Sequence, residues 1–235
     1  MKGNKYYFLI PAVSVAVIVI ILACGILNRT VTAISENIVM ERERCIVIDP
    51  GHGGVDGGAT SCTGKLESHM NLSVSLRLND FLRVMGKRTK MIRTTDISVY
   101  TTGQTIAAKK VSDLKARVAF VNAVENATLV SIHMNHFSDS KYYGPQLFYA
   151  PTQGSEALAN DLQHALNAKL VPENARVHKS ADGIYLMQHI NCPGILIECG
   201  FISNPEENAK LNTPAYQQKL CAIIAANLVR SEPGA

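Results

Sequence analysis

Apolar residues follow two rhythms along this chain, after one unbroken apolar run near its start. From residue 45 onward, short apolar runs of strand length alternate with stretches in which apolar side chains recur every three or four positions. The first run, residues 45–49 (CIVID), is stopped by Pro50-Gly51 and predicts a buried strand. Residues 67–85 predict a helix whose stripe is Val74, Leu78, Phe81, Leu82 and Met85, with Gly86 suited to the position after its end. Residues 88–93 can form a strand, and residues 94–111 read as a loop. A second helix is expected from Ser112, a good N-cap, with Leu114, Val118 and Val121 on one face. Strands are expected at 128–134 (TLVSIHM), 146–150 and 194–199 (GILIEC). A helix over 155–168 and a last one opened by Thr213-Pro214 complete the alternation. This order predicts an α/β sheet covered on both faces.

The N-terminal run has a different meaning. Residues 6–27 contain no charge, and at the helical rise they span about 33 Å, close to the thickness of a bilayer core. Lys2 and Lys5 precede the run and Arg29 follows it, which orients the N-terminus toward the cytoplasm and the rest outside. The run reads as a retained single-pass membrane anchor. Two alternatives export the same domain: a signal peptide cleaved near Val31-Thr32-Ala33, or a lipid attached at Cys24 after Leu22-Ala23. The expected organisation is an anchor or signal segment at 1–27, a polar linker at 28–44, and one folded domain at 45–235.

Composition narrows the partners. The chain has 235 residues, 47% hydrophobic and 18% charged, so it can bury a core and is not a disordered polymer. A net charge of +4, with no basic stripe interleaved with aromatics, argues against nucleic acid. The absence of Trp counts against an aromatic platform for sugars. Six cysteines without a CxxC spacing fit neither a zinc finger nor a disulfide framework, and they read as free or buried thiols.

Four groups with chemical potential fall at strand ends or helix starts: His52, Glu67, His133 and Glu198. Strand carboxyl ends of an open α/β sheet converge on one crevice. Two imidazoles and a carboxylate make a three-ligand zinc set with a fourth position open to water, and a second carboxylate can take that water's proton. Each also has a plainer reading. Glu67 suits a helix N-terminus, and His133 suits a core histidine. Glu198, inside an apolar strand, is costly to bury unless a cation lies near it. The glycines at 51, 53, 54, 57 and 58 lack the spacing of a phosphate loop. Asp49 is a candidate to orient an imidazole or to hold the Pro-Gly turn, and Asn135 to touch substrate. The other histidines, 69, 136, 164, 178 and 189, read as surface or core residues.

The segment from Ile46 to Ala59 (IVIDPGHGGVDGGA) resembles the opening signature of the zinc-dependent N-acetylmuramoyl-L-alanine amidases. Glu67 before a leucine-rich helix, Ser131-Ile132-His133-Met134-Asn135, and residues 193–205 (PGILIECGFISNP) are similar to the three motifs that follow it in that family. Arg93 to Asp96, Leu114, Arg117 and Asn122 fit its intermediate landmarks. The resemblance implies a single-domain, twisted, mostly parallel sheet with helices on both faces. It implies one Zn2+ held by His52, Glu67 and His133, with Glu198 as the catalytic glutamate, ionised when it meets the attacking water. It also implies hydrolysis of peptidoglycan at the amide joining the lactyl group of N-acetylmuramic acid to L-alanine. A short, anchored, single-domain member resembles the sporulation and germination type, for which an accessory lipoprotein or activator is plausible. Residues 150–193 leave room for one helix and a loop, too little for the inhibitory plug of some members. Two rivals remain: a zinc carboxypeptidase or aminopeptidase using Arg93 or Arg117 for a substrate carboxylate, and a non-catalytic peptidoglycan-binding module.

Overall fold

A computed structural model describes residues 18–29, 43–174 and 176–231. The chain divides into two units, Met1–Glu43 and Arg44–Ala235. In the first, residues 18–29 form helix α1, exposed along its length. Among the described residues no helix is long and apolar enough to cross a membrane. Residues 6–17 of the apolar run, and residues 30–42 of the expected linker, lie outside the described residues.

The second unit is a six-stranded sheet in the order β2-β1-β3-β6-β4-β5. Its strands are β1 (Cys45–Pro50), β2 (Arg88–Met91), β3 (Ala127–Asn135), β4 (Gln146–Tyr149), β5 (Lys179–Ser180) and β6 (Gly194–Phe201). The four strands β2, β1, β3 and β6 run parallel, and β4 is antiparallel to β6. The helices are α2 (Glu67–Val84), α3 (Ile106–Asn122), α4 (Ser155–Leu170), α5 (Tyr185–His189), α6 (Pro205–Leu211) and α7 (Pro214–Arg230).

Side chains alternate across each strand, so the central strands must be apolar on both faces to be covered by helices on both. Ile46, Ile48, Val130, Ile132, Ile195 and Ile197 face the larger core, which is filled by α2, α4 and α7. Val47, Leu129 and Leu196 face the smaller one, beneath α3 and α5. By the same alternation Asp49, Ser131, His133 and Glu198 belong to the smaller-core side, at the carboxyl ends of β1, β3 and β6.

The expected strands and long helices are present, with one shift. Helix α3 begins at Ile106 rather than at Ser112. Its cap is Thr105, whose hydroxyl accepts from the Ala108 amide at 3.2 Å. The first turn and a half is exposed, Ile106 by 65% and Val111 by 52%, so the buried apolar stripe that marks the rest of the helix does not extend to it. Ser112 is instead buried, and its Oγ accepts the amides of Thr101 and Thr102, each at 3.1 Å, fastening the preceding loop to the helix. The cap at Thr213 forms as expected, accepting from Tyr216 at 3.3 Å. Short elements β5, α5 and α6 carry too few residues for periodicity to show them. All six cysteines are free, with Cys45, Cys199 and Cys221 buried.

Ile132 lies on a central strand and is fully buried. Ile132→Ala is expected to lower stability by about 2–5 kcal/mol, whereas Val84→Ala, at 89% exposure, should change it by less than about 0.5 kcal/mol. Denaturant titration of both variants checks this, and equal losses would contradict the assigned core.

Candidate metal centre

The site begins with a strand that stops abruptly. After β1 the chain turns away at Pro50, Gly51 and His52, leaving three carbonyls directed into the protein. Two buried arginines collect them. Arg93 donates from Nε to Pro50 O at 2.9 Å and from Nη2 to Gly51 O and Ser68 O, each at 2.9 Å. Its Nη1 donates to Thr95 O at 3.0 Å. Arg117, from α3, donates to Pro50 O at 3.0 Å and to His52 O at 2.7 Å. It also pairs with Asp49, whose second oxygen accepts from Ser131 Oγ at 2.7 Å, and its Nε reaches Asp113 at 2.6 Å. Burial by itself would raise the Asp49 carboxyl, but Arg117, His133 and Ser131 outweigh it and hold it below the usual carboxylate range. Asp49 therefore secures the turn through Arg117 and hydrogen-bonds no imidazole.

This anchoring holds His52 at φ 58°, a left-handed conformation that is uncommon for a residue with a side chain. A tight turn follows, in which Gly53 and Asp56 exchange backbone hydrogen bonds of 2.8 and 3.2 Å. It brings the Asp56 carboxylate back to His52 Nδ1 at 2.9 Å. Lys110 of α3 holds the other Asp56 oxygen at 2.8 Å. With Nδ1 occupied, His52 presents Nε2, which lies 3.3 Å from Glu67 Oε2.

Glu67 bridges the two imidazoles. Its Oε1 is 3.0 Å from His133 Nδ1. The carboxylate is also held by amides of Ala59 at 2.9 Å and Met134 at 3.3 Å, and by the Asn71 side chain at 3.2 Å. Burial opposes its charge, but His133 and His52 outweigh that and hold it well below the usual carboxylate range. The rings of His52 and His133 lie 5.0 Å apart, edge to face. A Cβ on Gly51 would sit 2.2 Å from His133 Nε2, and one on Gly58 would sit 2.6 Å from Glu67 Oε2. The backbone wraps the cluster too closely for any other residue there.

One ligand atom from each of His52, Glu67 and His133 lies within 4.8 Å of the others. Two imidazoles and a carboxylate at that separation suit zinc, and a carboxylate reaching both rings holds the place a cation would take. Glu198 stands next to His133 in the β3–β6 register, and its buried Oε2 has no hydrogen-bond partner. Desolvation pushes its carboxyl up to about 7. His133 and His52 pull it down and Glu67 pushes it further up. The expectation of an ionised Glu198 included a cation at the site; with protein groups alone, desolvation prevails.

All four expected site residues thus gather at one place. Three contributors were not recognised in the sequence as supports. Asp56 lay within the glycine-rich motif, four residues past His52. Asn71 lay one helical turn past Glu67. Arg117 sits on the apolar stripe of α3 between Leu114 and Val121, where an arginine signals a buried partner. Arg93 and Arg117 are each 2% exposed and committed inside the protein, so neither can receive a substrate carboxylate. Among the other histidines, His69 pairs with Asp96 at 3.0 Å and His189 bonds its own helix at 2.8 Å. Asn135 pairs with Phe201 across the sheet.

Comparison with known proteins agrees with this geometry. The model of the Amidase_3 family, N-acetylmuramoyl-L-alanine amidase, matches residues 46–230. The chain is 38% identical over 190 residues to the germination-specific N-acetylmuramoyl-L-alanine amidase of Bacillus subtilis (strain 168), covering 80% of this chain and 79% of that one. It is 30% identical over 182 residues to the amidase LytC of the same organism, 76% of this chain and 34% of LytC. Among solved structures, the CwlD amidase from Clostridioides difficile in complex with the GerS lipoprotein matches with a TM-score of 0.76 at 34% identity, over 80% of this chain and 98% of that one.

Proton competition at the centre is testable. Burial would lower the His52 imidazole, but Glu67 and Asp56 outweigh it and push it up to about 9. This raised value stabilises the ion-free fold fully below about pH 6.5, the ordinary imidazole value, and that share is lost as pH rises through about 9. A cation must therefore displace the His52 proton at neutral pH. Its affinity should rise between pH 6 and 8, by up to about tenfold per unit for one proton released. Competition titration against a chromophoric chelator measures this, and a flat profile would contradict the assigned protonation.

Proposed function

The chain belongs to the N-acetylmuramoyl-L-alanine amidase family, and from that membership we propose how its own residues carry the reaction. It is a peptidoglycan amidase of germination, cleaving between N-acetylmuramic acid and the L-alanine of the stem peptide. The observation that carries the assignment of roles is the contrast between two carboxylates. Glu67 is bridged between imidazoles, while Glu198 beside them leaves one oxygen without a partner.

His52, Glu67 and His133 hold one zinc ion in this reading. Zinc bound there supplies a Lewis acid and lowers the pKa of a water toward neutrality. His52 contributes Nε2, because Asp56 keeps its other nitrogen. Glu67 is oriented by the Ala59 and Met134 amides, which point its charge at the imidazoles. Glu198 takes a proton from the attacking water at Oε2 and returns it to the leaving nitrogen of L-alanine. Desolvation pushes this carboxyl up to about 7, and a cation on the three ligands would oppose that and favour the ionised form that accepts the proton. The peptidase alternative loses its support, since Arg93 is consumed by backbone carbonyls and Arg117 by carbonyls and the carboxylates of Asp49 and Asp113.

Glu198→Ala is expected to retain zinc and lose activity by about 10²-fold or more, whereas His133→Ala should lose both. Metal analysis of purified variants, with mass spectrometry of digested peptidoglycan, distinguishes the roles. Loss of zinc in Glu198→Ala would reassign it as a ligand.

We further infer that residues 6–27 carry the enzyme to the outer side of the cell membrane, because the run is apolar, uncharged and follows two lysines. A retained anchor, a cleaved signal and a lipid at Cys24 remain the three forms of that proposal. An accessory lipoprotein is proposed as a partner because a similar amidase is solved in complex with one. Fractionation of cells carrying a C-terminally tagged chain should recover it outside the cytosol, with a lipoprotein co-purifying. Cytosolic recovery would exclude the localisation.

A further inference from the structure

The β3–β4 connection presents aromatic rings to solvent where a loop usually presents polar groups. Phe137, Tyr142 and Tyr143 are all exposed, Phe137 by 49%. Among the described residues the other exposed aromatic ring is Phe120, on α3. The rings form a ladder rising out of the core. Phe201 at the end of β6 is buried, Tyr142 stacks on it at 6.1 Å, and Phe137 meets Tyr142 edge to face at 5.0 Å.

The loop is fastened at many points. Phe137 N donates to Ser203 Oγ at 3.1 Å, and Asn204 donates to Ser140 O at 2.8 Å. Gly144 N reaches both oxygens of Glu207, at 2.8 and 3.0 Å. Asn174 and Arg176 donate to Tyr143 O at 3.0 and 3.1 Å. Rings held this firmly are ordered before any ligand arrives, so a ligand that covers them incurs little of the usual ordering cost.

Their place relative to the metal centre is bounded by the chain. Phe137 is four residues past His133, so their Cα atoms are at most about 14 Å apart, and Phe201, three past Glu198, is within about 11 Å of it. Phe201 closes β6 and Phe137 comes just after β3, so both stand at the carboxyl ends on which the site is built. The base of the ladder therefore rises from the same carboxyl rim of the sheet as the reacting centre. The substrate is a stem peptide hanging from a glycan strand, so a lactyl group at the metal centre brings sugar rings across the adjacent surface. Sugar rings offer apolar C–H faces rimmed by hydroxyls, which suit the faces and edges of aromatic rings.

We propose that Phe137 and Tyr142 form a stacking platform for the glycan strand that flanks the muramic acid being cut. The inference rests on the amidase reading and adds to it a subsite for the polymer. It builds from Phe and Tyr a platform against which the absence of Trp counts mildly.

The test uses the full chain carrying Glu198→Gln, which stops turnover, and follows its sedimentation with insoluble peptidoglycan. Adding Phe137→Ala and Tyr142→Ala should weaken binding about tenfold, the scale of losing about 1.4 kcal/mol of aromatic contact. Phe137→Tyr and Tyr142→Phe keep the rings and should restore it. Glycan stripped of its stems should compete with the wild-type surface and not with the double variant. In the active chain, the ratio of kcat/KM on polymer to that on a single disaccharide-tripeptide should fall about tenfold. Phe120→Ala is the control, since it lies near the start of β3 at the opposite end of the sheet, and it should change neither binding nor the ratio.

Polymer binding unchanged in the double variant overturns the platform, including the case where the rings serve only to dock a protein. So does an equal loss on polymer and disaccharide. If the double variant does not fold, Phe137→Ala alone applies the same criteria, because that ring is half exposed. Wild-type chain inactive on both substrates would instead defeat the amidase reading.

Discussion

Everything at the metal centre depends on how the protein disposes of the carbonyl groups where β1 ends. A buried carbonyl without a donor is costly, and here three in succession turn inward at Pro50, Gly51 and His52. The guanidinium groups of Arg93 and Arg117 satisfy all three. Two buried cations would themselves be unfavourable without compensation. Asp49 and Asp113 neutralise Arg117, and Arg93 is distributed over four backbone carbonyls. The result is a rigid turn in which the left-handed backbone of His52 is over-determined. The imidazole is then aimed by Asp56. Geometry fixed in this way lets a cation bind without first ordering its ligands.

Two carboxylates in one small site take opposite characters because their surroundings differ. Glu67 receives donors from two backbone amides, one side-chain amide and two imidazoles, and its charge is favoured. Glu198 stands half-buried beside His133 with an unpaired oxygen, and without a cation at the site desolvation pushes its carboxyl up to about 7. Separation of this kind assigns a permanent ligand and a proton carrier from the same residue type. The sequence places both in equivalent positions, near a strand end or a helix start. Only the count of donors around each one tells them apart.

The motifs His52, Glu67, His133 and Glu198 were legible because strand ends and helix starts are visible in apolar periodicity. Convergence at one crevice then follows from the sheet topology. The parallel central strands were equally visible, since they are apolar without alternation. What escaped were features with no periodic signature: the exposed start of α3, the short elements β5, α5 and α6, and the supporting residues Asp56 and Asn71. Arg117 was seen as a landmark, but its role needs a third dimension. An arginine on an apolar stripe announces burial without naming the carbonyls and carboxylates it will meet. The ladder of Phe137, Tyr142 and Phe201 escaped for a related reason. Its rings come from a loop and a strand that are far apart in sequence.

The side of the sheet on which the site sits also has a physical reason. Strand alternation commits Asp49, Ser131, His133 and Glu198 to the face beneath α3 and α5, while the isoleucines between them pack against α2, α4 and α7. The larger core can then remain wholly apolar along β1, β3 and β6. The thinner side tolerates polar groups because α3 brings Arg117 and Asp113 to pair with them. Glu67 is the exception, arriving from α2 on the opposite layer. It reaches the site because it occupies the first position of its helix, at the carboxyl rim of the sheet where the two layers meet. A metal centre assembled there draws ligands from both layers while leaving the main core undisturbed. Its residues can thus be replaced for chemistry without the volume changes that make core substitutions so damaging.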